Sequence, residues 1–337
     1  MGGHGNCRSS LRLGKWGNAL NKRCCVPGSS SSSLSASDSQ LADSDSYSWP
    51  IGSHDIAEAF IPAGRFMMGC HDYHIAHDDA ELPTHEVALN AYRIDTTTVT
   101  NADFTAFVDA TGYRTDAERL GDSAVFYLAV AANRRDILGQ PEQTPWWIRV
   151  AGADWRHPGG RHSSLAGLEN HPVVHVSWHD AMAYCHWSQR RLPTEAEWEF
   201  AARGGLEGAR YPWGDTPPDD GANWRCNIWQ GRFPEQNSAE DGWLTTAPVK
   251  AFAPNGWGLW QMVGNVWEWC SDPFDADYYA NSPELDPRGP DASECRSLRG
   301  GSWMCHDSYC NRYRNSARIG SPPDSTSQNV GFRTVAR

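Results

Sequence analysis

The sequence predicts a mixed α+β fold: a single domain over residues 51–337 behind a Ser-rich tail, residues 1–50. Three observations lead there. Strand-like runs flank a turn near Pro62, and three later segments join a capping residue to apolar residues at helical spacing. Beyond Gly204, the residues Gly, Pro, Asn, Asp and Trp fall every few positions, so long loops dominate and bound cations are candidates to hold them. No internal repeat and no second boundary divides the stretch.

Taken in order, the tail comes first. It holds the run Ser29 to Ser33, few large apolar residues and no Asp or Glu before Asp38. It cannot bury enough surface to offset its ordering entropy, so it is expected to be disordered. Its Arg/Ser-rich start has the composition of a transit peptide, but a plain flexible tail is the reading adopted. Phe60 to Gly69 then reads as two short strands about a turn. A helix is predicted from about Asn101 to Thr111, capped by Thr100 and Asp103, with Phe104, Phe107 and Val108 on one face and Gly112 as its stop. A second runs from about Trp178 to Gln189 with Ser177 as cap. A third follows Pro193, where Thr194 caps, Glu197 answers, Trp198, Ala201 and Ala202 face inward, and Gly204 ends it.

Composition excludes some functions. The net charge of −12, with no basic run after residue 25, argues against duplex nucleic acid. No apolar stretch approaches the roughly 18 residues of a membrane span. Ten cysteines in 337 residues are too sparse for a disulfide scaffold, and no hydrophobic secretory core opens the chain. A cytoplasmic, reducing location is the expectation. Seventeen Trp are many for this length, and Trp walls clefts as well as cores.

The informative segment is Gly300-Gly301-Ser302-Trp303-Met304-Cys305-His306-Asp307-Ser308-Tyr309-Cys310-Asn311-Arg312-Tyr313-Arg314. Two thiols five residues apart lie among Ser, His, Tyr and Arg. Cationic neighbours favour thiolates, and two soft thiolates suit copper(I). The same spacing also fits buried structural cysteines or one local disulfide. Structural zinc fits less well, because no second Cys or His pair has finger-like spacing. His71, His74 and His77 form a weak metal candidate, more simply a solvated loop.

Five further segments stand beside the thiol segment: Arg191 to Glu199 (RLPTEAEWE), Tyr211-Pro212-Trp213-Gly214, Asn227-Ile228-Trp229-Gln230-Gly231, Gly264 to Trp269 (GNVWEW) and Gly331-Phe332-Arg333. On these motifs the chain from about Phe60 to Arg337 resembles the formylglycine-generating enzyme family, in its prokaryotic type. The helix and Trp-Gly motifs occur across a broad superfamily and specify fold. Cys305 and Cys310 within Gly-Gly-Ser-aromatic-Met-Cys mark the catalytic branch. The resemblance implies a C-type-lectin-related α+β domain and copper(I) held by Cys305 and Cys310. It implies O2 as co-substrate, a thiol reductant, and an unfolded sulfatase chain carrying Cys-X-Pro-X-Arg as substrate. The substrate thiolate would join the metal, lose a hydrogen from Cβ, and pass through a thioaldehyde to formylglycine. Ser302, Tyr309 and Trp267 would line the oxygen pocket. As plain residues, Ser302 is a turn hydroxyl and the two aromatics are core. Asn311, Arg312 and Arg314 match the motif without an assigned role.

Two calcium sites are implied by the same resemblance. The first takes Asn227, the Ile228 carbonyl, Asp241 and the Trp243 carbonyl. The second takes Gln261, the Gly264 and Val266 carbonyls, and Glu268. Such mixed oxygens suit calcium. Gln261 stands where the family usually shows Asn. Without the resemblance, Asp241 and Glu268 read as ordinary surface acids. Both structural disulfides of secreted members are missing: Cys185 faces Thr334 in the matched positions, and the other pair is Ala202 and Asn315. Cys226, Cys270 and Cys295 are expected to be inert. The alternatives are a noncatalytic ligand-binding module on this fold, or an iron-dependent sulfoxide synthase. The latter needs a separate helical domain that the tail cannot provide.

Overall fold

The computed structural model describes residues 49–70, 72, 80–219 and 223–337. The tail through residue 48 and the His71, His74 and His77 stretch lie outside the described residues. Among the described residues the first to pack is Trp49, two residues before Ile51, with its ring 5.8 Å from Phe107 and 5.7 Å from Tyr113.

Strands β1 (Glu58–Ile61) and β2 (Gly64–Met68) form where the sequence predicts strands, but they do not pair with each other. β2 pairs with β3 (His85–Leu89), while β1 pairs with β4 (Tyr92–Asp95). Alternation identifies a half-buried strand but not its partner.

Helix α1 (Asn101–Thr111) has the predicted ends. The Thr100 hydroxyl accepts from the Asp103 N–H at 3.2 Å, the Asp103 carboxylate accepts from the Thr100 N–H at 2.9 Å, and Gly112 closes it at φ 67°. Helix α2 (Asp116–Leu120) obeys the same grammar, with Thr115, Glu118 and Gly121. At five residues it is too short to show an apolar period, so it escapes sequence reading. Strands β5 (Asp122–Phe126), β6 (Ile137–Gly139) and β7 (Trp147–Ala151) form an antiparallel sheet with β7 central. Helix α3 (Trp178–Trp187) stops two residues before the expected end at Gln189, because Gln189 turns left-handed at φ 56° and its N–H reaches the His186 carbonyl at 3.3 Å instead of a carbonyl four residues back. After the short β8 (Arg190–Arg191) comes α4 (Glu195–Arg203), capped by Thr194 and ended by Gly204 as predicted.

The region beyond Gly204 is more regular than the sequence suggests. The β9 (Gly231–Arg232) and β10 (Gln236–Asn237) pair is followed by β11 (Trp267–Pro273), β12 (Arg296–Arg299), β13 (Arg318–Ser321) and β14 (Val330–Gly331). These last four form a sheet in the order β13-β12-β11-β14. β15 (Val335–Ala336) joins β1, β4 and β8. Trp267 to Cys270 are all buried, so both faces of β11 are covered and no polar alternation marks it.

Helix α4 is buried along its whole length, carboxylates included. Glu195 binds Arg318 through both oxygens, at 2.6 and 2.9 Å, and Arg299 at 3.2 Å. Glu199 binds Arg299, Arg203 at 2.6 Å and the Gly69 N–H at 3.0 Å. Burial pushes the Glu195 carboxyl up, but Arg318 and Arg299 overcome it and hold the group below its ordinary range. Among the other cysteines, burial pushes the Cys185, Cys226 and Cys270 thiols well up, which suppresses the reactive thiolate. Cys295, expected to be an inert thiol, is instead disulfide-bonded.

Replacing Arg299 by Met should cost about 3–5 kcal/mol, because it strands Glu195 and Glu199 without their shared cation in a dry site. Urea unfolding of the variant beside wild type measures this, and a loss under about 1 kcal/mol would show the cluster to be weakly coupled.

Candidate active site

The thiols lie in a closed loop whose neck is set by glycine. Gly300 and Gly301 have φ of 93° and 71°, and a Cβ on Gly301 would stand 2.6 Å from the Arg312 carbonyl oxygen. The chain can therefore pass against itself, and 301–312 forms a loop with its ends in contact. Two turns fill it. The Cys305 N–H donates to the Ser302 carbonyl at 2.9 Å, and the Ser302 N–H reaches the Cys305 sulfur at 3.4 Å. The N–H groups of Tyr309, Cys310 and Asn311 then converge on the His306 carbonyl at 2.8 to 3.1 Å. Cys305 is buried and Cys310 half-buried, and both carry reduced thiols. The turns thus enclose Cys305 and leave Cys310 partly accessible. The Trp229 N–H fixes the loop from outside by donating to the Cys305 carbonyl at 3.1 Å.

Ser302 is more than a turn hydroxyl. Its oxygen accepts from the Asn329 side-chain amide at 3.0 Å and the Met304 N–H at 3.4 Å, and the residue is wholly buried. Asn329 is held in turn by the Ser327 hydroxyl at 2.8 Å, and its carbonyl accepts from the Trp267 N–H at 2.9 Å. Asn329 therefore ties Ser302 to the start of β11, where Trp267 lies fully buried. Tyr309 stacks on Phe233 at 4.7 Å and meets Trp146 edge-on at 5.0 Å. Trp229 and Trp146 both pack edge-on against Phe233, and the buried indole N–H of each has no partner. Sequence reading missed Asn329, Trp146 and Phe233. Asn329 sits two residues before the Gly331-Phe332-Arg333 motif, but nothing in its neighbours signals a hydroxyl partner 27 positions away. Arg314, left without a role, forms a buried pair with Glu81 at 2.6 and 2.8 Å.

The expected calcium ligands fall into two groups. Asp241, read as a surface acid, is half-buried. One of its oxygens accepts from the Trp243 N–H at 3.0 Å, and the other is buried without a partner. Burial, its largest influence, pushes the carboxyl up. The Asn227 amide donates to the Thr245 carbonyl and to Asn265 at 2.8 and 3.0 Å, which turns its own oxygen away from them. Gln230 bridges this first group, donating to the Ile228 carbonyl and accepting from the Asp241 N–H. In the second group the Gln261 amide donates to the Pro248 carbonyl at 2.7 Å and leaves its buried oxygen unpartnered. Glu268, far from a surface acid, is buried with both oxygens on Arg333, at 2.6 and 2.8 Å, and one on the Trp198 indole at 2.7 Å. An orphaned buried oxygen costs stability unless a cation or donor meets it. The first group fits a hard cation, whereas the second fits through Gln261 while its carboxylate already has a counter-ion. Among the described residues no three His, Cys, Asp or Glu side chains converge, so a cation held here relies on amide and carbonyl oxygens.

Fold and loop together define a C-type-lectin-related α+β domain built around a thiol pair. The chain belongs to the sulfatase-modifying factor enzyme 1-like domain family, whose model matches residues 54–337. It is 60% identical to the formylglycine-generating enzyme of Streptomyces coelicolor over 275 residues, 81% of this chain and 87% of that protein. It is also 44% identical to the inactive C-alpha-formylglycine-generating enzyme 2 of Bos taurus, over 82% of this chain and 86% of that protein. Among solved structures, PvdO from Pseudomonas aeruginosa superposes with a TM-score of 0.61 at 25% identity, covering 82% of this chain and 93% of that one. No helix of the described residues is long and apolar enough to cross a membrane.

The difference in exposure predicts an order of reaction. Iodoacetamide should alkylate Cys310 at least about tenfold faster than buried Cys305, since access as well as thiolate fraction controls such chemistry. Peptide mass spectrometry over time reads both, and equal rates would mean the loop opens as a whole.

Proposed function

We propose that this chain oxidises the cysteine of a Cys-X-Pro-X-Arg segment in an unfolded sulfatase to formylglycine. The carrying observation is the closed loop that presents Cys305 and Cys310 beside a buried, twice-bonded Ser302. Family membership alone does not suffice, because an inactive relative is also similar over most of its length. Cys305 and Cys310 would hold copper(I), for which two soft thiols are a fitting donor set. When bound, copper(I) supplies a soft site for the substrate thiolate and one-electron chemistry with O2 as co-substrate.

The chain's own residues prepare that site. The Ser302 N–H, 3.4 Å from the Cys305 sulfur, helps fix where that sulfur points. Asn329 and Met304 donate to the Ser302 oxygen, which fixes the hydroxyl beside the Cys305 turn. The Tyr309, Phe233 and Trp146 rings form an apolar wall beside Cys310 that excludes water and offers faces to an extended peptide. Trp267, held by its N–H on Asn329, backs the pocket. Calcium at Asn227, Ile228, Asp241 and Trp243 would meet the orphaned Asp241 oxygen, and a second ion at Gln261, Gly264, Val266 and Glu268 would meet that of Gln261.

Copper-loaded protein incubated in air with a Cys-X-Pro-X-Arg peptide should yield the aldehyde by mass spectrometry. Cys305→Ala and Cys310→Ala should each lower turnover more than about 100-fold with the fold intact, since a two-ligand soft site does not survive loss of one ligand. Replacing the peptide's Pro or Arg by Ala should weaken capture, and replacing its Cys by Ser should end the reaction. Near wild-type turnover of either enzyme variant, or oxidation of the Ser peptide, would exclude this chemistry, and no turnover by copper-loaded wild type would favour a noncatalytic module.

Calcium should raise the melting temperature by binding only the native state. EGTA should lower it, and Asp241→Ala should blunt the response. A melting curve indifferent to calcium would exclude both ion sites.

A further inference from the structure

We propose that Asn265 is a positioning residue that couples the first calcium group to the thiol loop, so that calcium stiffens the loop carrying Cys305 and Cys310. The proposal rests on the calcium reading above and goes beyond it.

Asn265 lies between the two sets of atoms. It is buried and adopts φ 59°, a left-handed conformation that Asn tolerates better than most residues. On one side it meets the calcium group. Its N–H donates to the Asn227 carbonyl at 2.8 Å, its side-chain oxygen accepts from the Asn227 amide at 3.0 Å and the Ala247 N–H at 2.8 Å, and its amide donates to the Ala247 carbonyl at 3.1 Å. On the other side it meets the thiol loop. Its carbonyl accepts from the Trp303 N–H at 3.0 Å, and the preceding Gly264 N–H donates to the Gly300 carbonyl at 2.9 Å. Trp303 is inside the turn that the Cys305 N–H closes on Ser302. A second strut runs in parallel: Trp229, next to Ile228, holds the Cys305 carbonyl at 3.1 Å.

The coupling follows from this geometry. The Asn265 oxygen fixes the rotation of the Asn227 amide, which sets where the Asn227 oxygen points. Calcium on that oxygen removes the remaining freedom of Asn227. The constraint passes through the Asn265 side chain to its backbone, and from there to Trp303 and the Cys305 turn. Only Asn joins a left-handed backbone to an acceptor for two N–H groups and a donor for one carbonyl. Gly would keep the backbone and lose the side-chain ties, and Asp would lose the donated bond alone.

The experiment uses full-length reduced protein in calcium chloride or EGTA, and reads both the melting temperature and the rate of Cys310 alkylation by iodoacetamide. In wild type, calcium should raise the melting temperature and slow alkylation roughly three- to tenfold, the size that couplings through packed hydrogen-bond networks reach. Asn265→Gly should keep a calcium-dependent rise in melting temperature, through Asp241, and lose the alkylation difference. Asn265→Asp, which keeps both accepted bonds, should retain most of it. A merely structural Asn265 would lower stability in the variants and leave the calcium effect on alkylation in place. A wild type that calcium stabilises without slowing alkylation, or an Asn265→Gly variant with the full effect, overturns the proposal and spares the calcium reading. If calcium changes neither quantity in wild type, the calcium reading falls and the coupling with it.

Discussion

The structure depends on how the buried charges of α4 are compensated. Removing a carboxylate from water costs several kcal/mol, and the cost is offset only by close, multiple, charge-assisted hydrogen bonds. Glu195 and Glu199 meet that condition with Arg299, Arg318 and Arg203, which come from β12, β13 and α4 itself. The geometry leaves little freedom, because Arg299 serves both acids at once. α4 is thereby locked to the sheet, and Gly300, which follows Arg299, starts the thiol loop from a fixed point. Asp272 shows the contrast. Burial and the neighbouring Glu195 charge push its carboxyl up to about 7, though the Ser271 hydroxyl and the Glu195 N–H both donate to it. Neutral donors do not do for a buried acid what a guanidinium does.

A second compensated charge carries the lock to the other side of the loop. Glu268 on β11 takes Arg333 and the Trp198 indole, so α4, β11 and the chain before β15 meet at one carboxylate. β11 lies parallel to β14, and Asn329, just before β14, reaches Ser302. The thiol loop is thus held at its neck by Arg299 and Gly300, at Ser302 by Asn329, and at Cys305 by Trp229. None of these ties is a helix or ladder bond within the loop. Irregular backbone can be accurate when neighbours on several sides each fix one atom of it.

What was legible in the sequence follows from the range of the forces. Helix ends were legible because Thr100 with Asp103, or Thr194 with Glu197, act over three residues. The thiol pair was legible because Cys305 and Cys310 share one loop. The β11 to β14 sheet was not, since its strands bury Glu268, Arg299 and Arg318 where a strand pattern expects apolar residues. Their partners stand 65 to 123 positions away in sequence. A separation of 27 positions from Ser302 hid Asn329 too. Asp241 and Glu268 read as surface acids because composition does not reveal burial, and only the matched motifs singled them out.

The Trp content has a physical reading in this setting. A chain with short strands has few ladder bonds to satisfy its carbonyls, and a buried indole covers a large area and brings one donor. Trp178 donates to the Cys270 carbonyl at 3.0 Å, Trp269 to Val176 at 3.1 Å and Trp213 to Thr216 at 2.9 Å. Each links segments that no ladder joins, or closes a turn that no helix continues. Indoles here do part of the work of secondary structure, which lets the loops around Cys305 and Cys310 follow the needs of the site rather than the repeat of a strand or helix.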